Sequence, residues 1–287
     1  SKPSSDEVNE EELEMILNVA EAATSQGVEF DNWELIRLGN TASMRGKLEI
    51  SEGYYKQALR KFKNLKDRQG EASSLNCLGT ISSARGYLEE SERLYKESLT
   101  IGREIGDRNQ EANALNNLGE IYRQRNNLAK AKSLYERSLL IYKEIEYQQG
   151  EGASLNNLGL IAANQGDLEE AERLYKESLA IKREIGDRKG EADSLNNLGI
   201  IAKTRGDLEE AERLHKKVLS IAKDIGYRKG ESNSLFNLEI IANTRGDLEE
   251  AERLYKESLR LKLEIGIPLD EWFIKNDFIN PDVPWDL

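Results

Sequence analysis

The sequence has 287 residues, with 53 acidic and 41 basic side chains, one histidine, one cysteine and a formal net charge of −12. The lone Cys77 excludes an intrachain disulfide and a cysteine-built zinc site, and the acidic balance argues against nucleic acid or an anionic membrane as partner. No apolar run approaches the length of a membrane span, so a reducing, cytoplasmic setting is expected.

The excess acid sits at the ends. Residues 1–31 carry nine acids and one base and residues 267–287 carry five and one, while residues 32–266 hold 39 of each. In the first segment Leu13, Ile16, Leu17 and Ala20 recur at helical spacing and Gly27 supplies a stop. That pattern predicts an acidic, amphipathic N-terminal helix acting as a cap.

From residue 32 to 266 a forty-residue register takes over. Leu35, Leu75, Leu115, Leu155, Leu195 and Leu235 keep it, as do Leu38, Leu78, Leu118, Leu158, Leu198 and Leu238. Gly39, Gly79, Gly119, Gly159 and Gly199 follow the same step, which Glu239 breaks. A fixed period of this kind describes six stacked supersecondary units and not one globular core. Within a unit, Leu195, Leu198, Gly199 and Ala202 are followed by Leu208, Ala211, Leu214, Val218, Leu219, Ile221 and Ile225, at steps of three and four. The spacing predicts two antiparallel helices: A from about Asp187 to Thr204, a turn at Arg205-Gly206-Asp207, and B ending near Ile225-Gly226. Asp207 reads as the N-cap of B, and Glu210 completes a capping-box pattern. No proline between Ser4 and Ile267 forces a break.

At these residues the chain resembles the tetratricopeptide repeat family. Leu195, Leu198-Gly199 and Ala202 match its helix A. Ala211, His215 and Val218 match its helix B, where other units have Ser51, Ser91, Ala131, Ala171 or Ala251 and then Tyr55, Tyr95, Tyr135, Tyr175 or Tyr255. Leucine replaces the usual Trp, the usual Pro after helix B is missing, and the unit has forty residues in place of thirty-four. This variant, with its Leu-Asn-Asn-Leu run, is most similar to kinesin light chain repeats. The resemblance implies an all-α, right-handed superhelical solenoid of about six helix pairs, with capping segments at both ends and helix A lining the concave face.

Helix B is nearly a copy from unit to unit: residues 168–179 and 248–259 are identical. The helix A positions expected to face the groove differ instead: Ser73, Asn113, Ala153, Asp193 and Asn233; Thr80, Glu120, Leu160, Ile200 and Ile240; Ser83, Arg123, Ala163, Lys203 and Asn243. A groove reading a specific ligand has this pattern, and so does drift. Arg37, Arg123 and Lys203 are the bases that could meet a ligand carboxylate. Asparagine is the exception to the variation. Asn116-Asn117, Asn156-Asn157 and Asn196-Asn197 recur, with Asn76 and Asn237 as partial copies, although each costs a helix interior roughly 0.5–0.7 kcal/mol relative to alanine. Amides carry donors and acceptors that can pair with an extended peptide backbone. The resemblance implies that use for the second asparagine of the run, so Asn117, Asn157, Asn197 and Asn237 are the leading contacts; the alternative is that the amides bridge neighbouring helices. Cys77 and Arg37 interrupt the series.

Residues 267–287 hold Pro268, Pro281 and Pro284 and the aromatic residues Trp272, Phe273 and Trp285. They read as a second cap or as a latch reaching into the groove of the same or a neighbouring chain. Asp270-Glu271-Trp272 and Trp285-Asp286 are similar to the acid-flanked Trp peptides that kinesin light chain grooves take.

No phosphate loop, dinucleotide fingerprint or paired-histidine zinc motif occurs, and His215 takes a tyrosine's packing position. Neither catalysis nor a metal or cofactor is expected. The expected function is a scaffold or adaptor binding an extended protein segment. A peptide-sensing regulatory receptor and a structural protein that self-associates through its C-terminal tail are the alternatives.

Overall fold

The structure is a computed structural model and describes residues 10–264, with side chains from Leu13 onward. The aromatic tail anchors Trp272, Phe273 and Trp285 lie outside the described residues. Among those residues there are thirteen helices and no strand: α1 Glu10–Ser25, α2 Asn32–Met44, α3 Leu48–Leu65, α4 Arg68–Ala84, α5 Leu88–Glu104, α6 Arg108–Gln124, α7 Leu128–Glu144, α8 Gln148–Asn164, α9 Leu168–Glu184, α10 Arg188–Thr204, α11 Leu208–Asp224, α12 Arg228–Arg245 and α13 Leu248–Glu264. The chain divides into two compact units, one to Gln165 and one from Gly166. In each, every helix packs on the next in sequence, giving an all-α stack of helix pairs.

Two layers result. In the first unit α2, α4, α6 and α8 form an A layer in which each helix also touches the next A helix; in the second unit α10 touches α12 in the same way. Within each unit the B helices stand farther apart, with no B-to-B approach of 8 Å between Cα atoms among the described residues. In the second unit only a long side-chain ion pair, Lys223 of α11 with Glu257 of α13 at 3.5 Å, spans the gap among those residues. The A side is therefore the tighter, inner one within each unit. Clefts open between the B helices instead, such as the one of about 480 Å³ between α9 and α11, floored by Leu195, Leu198 and Ile201 of α10.

The register rests on what is buried. Leu35, Leu75, Leu115, Leu155, Leu195 and Leu235 are at most 2% exposed. The repeated glycine is a close-approach residue: a Cβ on Gly79 or Gly119 would lie 2.6 Å from the ring of Tyr95 or Tyr135, and one on Gly199 would lie 2.7 Å from the imidazole of His215. The helix accepts a glycine, at roughly 0.5–1 kcal/mol, so that the aromatic ring of helix B can lie on the backbone of helix A. Where Glu239 replaces the glycine, Tyr255 is only half-buried, whereas Tyr55, Tyr95, Tyr135 and Tyr175 are buried.

The turn from A to B is closed by Gly206 at φ +85°, by its N–H to the Lys203 carbonyl and by the Asp207 N–H to the Ala202 carbonyl. That last bond corrects the capping-box expectation. Asp207 does accept from the Glu210 N–H, but its own N–H is already used, and the Glu210 carboxylate pairs with Arg213 instead. The reciprocal box forms at Asp31 and Glu34 of α2. In α1, Leu13, Leu17 and Ala20 are buried while Ile16 is 43% exposed, so the packed stripe is narrower than the spacing predicts.

Candidate functional site: the inner face of the A helices

Each A helix from α4 onward keeps one stripe that its partner helices leave uncovered. In α6 it is Asn113, Asn116, Asn117, Glu120 and Arg123, at offsets of 0, 3, 4, 7 and 10, which place them on one face. The in-register residues of α4, α8, α10 and α12 are likewise half-buried or exposed, without exception. The stripe therefore holds every asparagine the sequence singles out, with Leu160, Ile200 and Lys203.

The amides join neighbouring A helices. Asn117 Nδ2 donates to Asn76 Oδ1 at 3.0 Å and Asn157 Nδ2 to Asn116 Oδ1 at 3.1 Å in the first unit; Asn237 Nδ2 donates to Asn196 Oδ1 at 3.1 Å in the second. The second asparagine of one repeat thus bonds the first asparagine of the repeat before. Each such rung uses one N–H and one carbonyl. The NH₂ of Asn76, Asn116 and Asn196 and the Oδ1 of Asn117, Asn157 and Asn237 stay on the half-exposed edge, with no further hydrogen bond among the described residues. No rung links α2 to α4. There Ile36 is buried, Arg37 is exposed, and Cys77 lies against Tyr55, its thiol pushed up to about 11 by burial.

The charged stripe residues are already partnered in α6. Arg123 makes a bidentate pair with Glu120, which also accepts from Gln124 and from the Tyr135 hydroxyl. Burial pushes the Glu120 carboxyl up, but the bonds from Arg123 and Gln124 outweigh it and hold it below its usual range. In the second unit burial raises Asp193, which accepts from the Tyr227 hydroxyl at 3.2 Å.

Tyrosines that position the stripe are what the sequence reasoning missed. Tyr55 donates to Asn40, Tyr95 bonds Thr80, Tyr135 donates to Glu120 and Tyr142 donates to Asn113. The fifteen-residue interval from Asn40, Thr80 or Glu120 to the tyrosine that follows was the available signal. Phe236 was missed as well. It takes the first-asparagine position of α12, is 36% exposed and carries Lys262 over its ring at 4.7 Å. With Ile200, 38% exposed, and Ile240, it makes the stripe of the second unit more apolar than that of the first.

The tetratricopeptide repeat profile matches residues 70–144, 151–224 and 205–264. The chain belongs to the tetratricopeptide repeat family. Its fold is similar to that of a Rap protein solved in complex with competence and sporulation factor (TM-score 0.69, 14% identity, covering 90% of this chain and 72% of that one). It is also similar to the apo quorum sensor NprR of B. thuringiensis (TM-score 0.68, 17%, 87% and 70%). A kinesin light chain-like protein of Podosopora anserina, with nearly identical tetratricopeptide-like repeats, matches at TM-score 0.51 and 16% identity, over 68% and 95% of the two chains. No curated protein sequence matches this chain. No helix among the described residues is long and apolar enough to cross a membrane.

Proposed function

We propose that this tetratricopeptide repeat protein is an interaction module that takes an extended segment of a partner protein along the inner face of its A helices. The observation that carries this reading is the set of half-exposed amide edges. Each rung offers a donor and an acceptor, held in place by the inter-repeat bond, so that little side-chain freedom is lost when a ligand arrives. Backbone pairing gives affinity without sequence preference. The non-repeating residues beside the rungs, polar Thr80, Glu120 and Arg123 and apolar Leu160, Ile200 and Phe236, would supply preference. A sensor of short signalling peptides is the second reading, and the fold shared with the quorum sensor NprR favours it.

Panning a random-sequence peptide library against the chain tests both. Recovered peptides should lose about tenfold in affinity on Asn117→Ala with Asn157→Ala, the loss expected for about 1.4 kcal/mol of hydrogen bonding. Thermal unfolding of the same variant controls for the lost rungs. Binders that are indifferent to these substitutions and compete at the B-helix clefts would remove the proposal.

A further inference from the structure

The rungs also constrain the shape of what binds. We infer, resting on the peptide-binding reading above, that the bound segment is a proline-rich stretch in the polyproline II conformation, three residues to each rung.

Within the first unit the rungs Asn76 to Asn117 and Asn116 to Asn157 are consecutive. They join A helices that approach within 8 Å between Cα atoms. Packed helices lie about 8–10 Å apart, so the amide edges recur at about that interval. A ligand that meets each rung in the same way must repeat its own backbone over the same distance. A β-strand rises about 3.3 Å per residue and alternates faces, so two residues fall short and three present the opposite edge at the second rung. An α-helical ligand has its backbone groups bonded internally. A polyproline II helix rises about 3.1 Å per residue with three residues per turn, so it returns to the same face after about 9 Å, and its backbone groups are unpaired.

The chemistry of a rung adds a rule of composition. Oδ1 of Asn117 or Asn157 accepts an N–H from the ligand, and the NH₂ of Asn76 or Asn116 donates to a ligand carbonyl. The residue at every third position must therefore carry an N–H and is not proline. The two residues between are free to be proline, which fixes the conformation in advance and lowers the entropy lost on binding. Small side chains, Ser73, Thr80 and Ser83, flank the rung position of α4; Ala153 and Ala163 flank that of α8 together with Leu160, an apolar surface for a ring.

The test uses the full chain and three fifteen-residue probes: five Ser-Pro-Pro repeats, the same ten prolines with the five serines placed consecutively, and an alternating Ser-Thr peptide. Dissociation constants are measured together with the side-chain amide resonances of Asn76, Asn116, Asn117 and Asn157. The phased probe is expected to bind at least about fivefold tighter than the other two and to move all four amides. Equal affinity for the phased and clustered proline probes overturns the three-residue register. Tightest binding by the Ser-Thr probe, with the same amides moving, overturns the polyproline conformation and leaves the peptide-binding reading standing. Amides unmoved by all three probes at millimolar concentration overturn both.

Discussion

His215 stands where four other repeats bury a tyrosine, and it is the least satisfied side chain of the core. It is fully buried, and neither ring nitrogen has a hydrogen-bond partner. Burial, with the Lys203 charge adding to it, holds its pKa at about 4 against the usual 6.5. The unfolded chain therefore binds a proton near pH 6.5 that the folded chain refuses until about pH 4. The stability that depends on a neutral imidazole is whole above pH 6.5 and is lost as the pH falls towards 4, by about 2 kcal/mol at pH 5. His215→Tyr should raise stability at pH 7 and flatten this loss, because Gly199 already leaves space for a ring. Denaturant titrations of both proteins at pH 7 and pH 5 check it; equal losses would show that another group carries the pH dependence. That the sequence marks His215 as a packing residue follows from the tyrosine register alone. Its two orphan nitrogens could not be read there: Ile200 stands where three repeats have Asn40, Thr80 or Glu120, and that those residues bond the ring fifteen positions on shows only in the structure.

Between elements, one ionic link recurs. Glu52, Glu92, Glu172 and Glu212 each take the lysine four residues on and an arginine 33 residues on, Arg85, Arg125, Arg205 or Arg245, at the end of the next A helix. The link ties a B helix to the following repeat. At the junction of α7 and α8 the corresponding residues are Lys132 and Gln165, and neither makes an ion pair. The residue four on is Glu136, a like charge to any glutamate placed at 132, so Lys132→Glu with Glu136→Lys and Gln165→Arg should restore the link and stabilise that junction by about 0.5–1 kcal/mol, in keeping with half-exposed pairs. Slower hydrogen exchange in α8 for the triple variant, but not for Gln165→Arg alone, is the expected signature. The intervals of four and 33 are plain in the sequence. Which carboxylate meets which guanidinium is not, because Glu and Arg also recur at the i+3 and i+4 spacings that give local pairs such as Glu170 with Arg173.

At the scale of the molecule, the forty-residue register places the helices to within a residue or two: Arg188–Thr204 is observed where Asp187 to Thr204 is expected. It does so because the same leucine, glycine and aromatic residues are buried in repeat after repeat. The face carrying the asparagines is equally legible, since offsets of three and four place it. The rungs are not, because they join residues 41 apart whose amide orientation follows from how neighbouring helices pack. Glu120 and Arg123 read as open groove charges only while their mutual pairing is unseen. A stack in which each repeat touches only its neighbours also spreads damage locally. Leu115→Ala, at a fully buried position, should cost roughly 2–5 kcal/mol. Faster hydrogen exchange is expected in α4 to α7, with α11 and α12 unchanged; uniform acceleration along the chain would mean that the array unfolds as one cooperative body.

The tyrosine hydroxyls that reach from the outer layer past a glycine to Thr80 and Glu120 limit how the inner face can be rewritten. A library that randomises positions 80 and 120 to change ligand preference would also strip a buried tyrosine of its partner, and selection would then act on stability as well as on binding. Positions 73, 83 and 163 have no such tether to the outer tyrosines and can be recoded first.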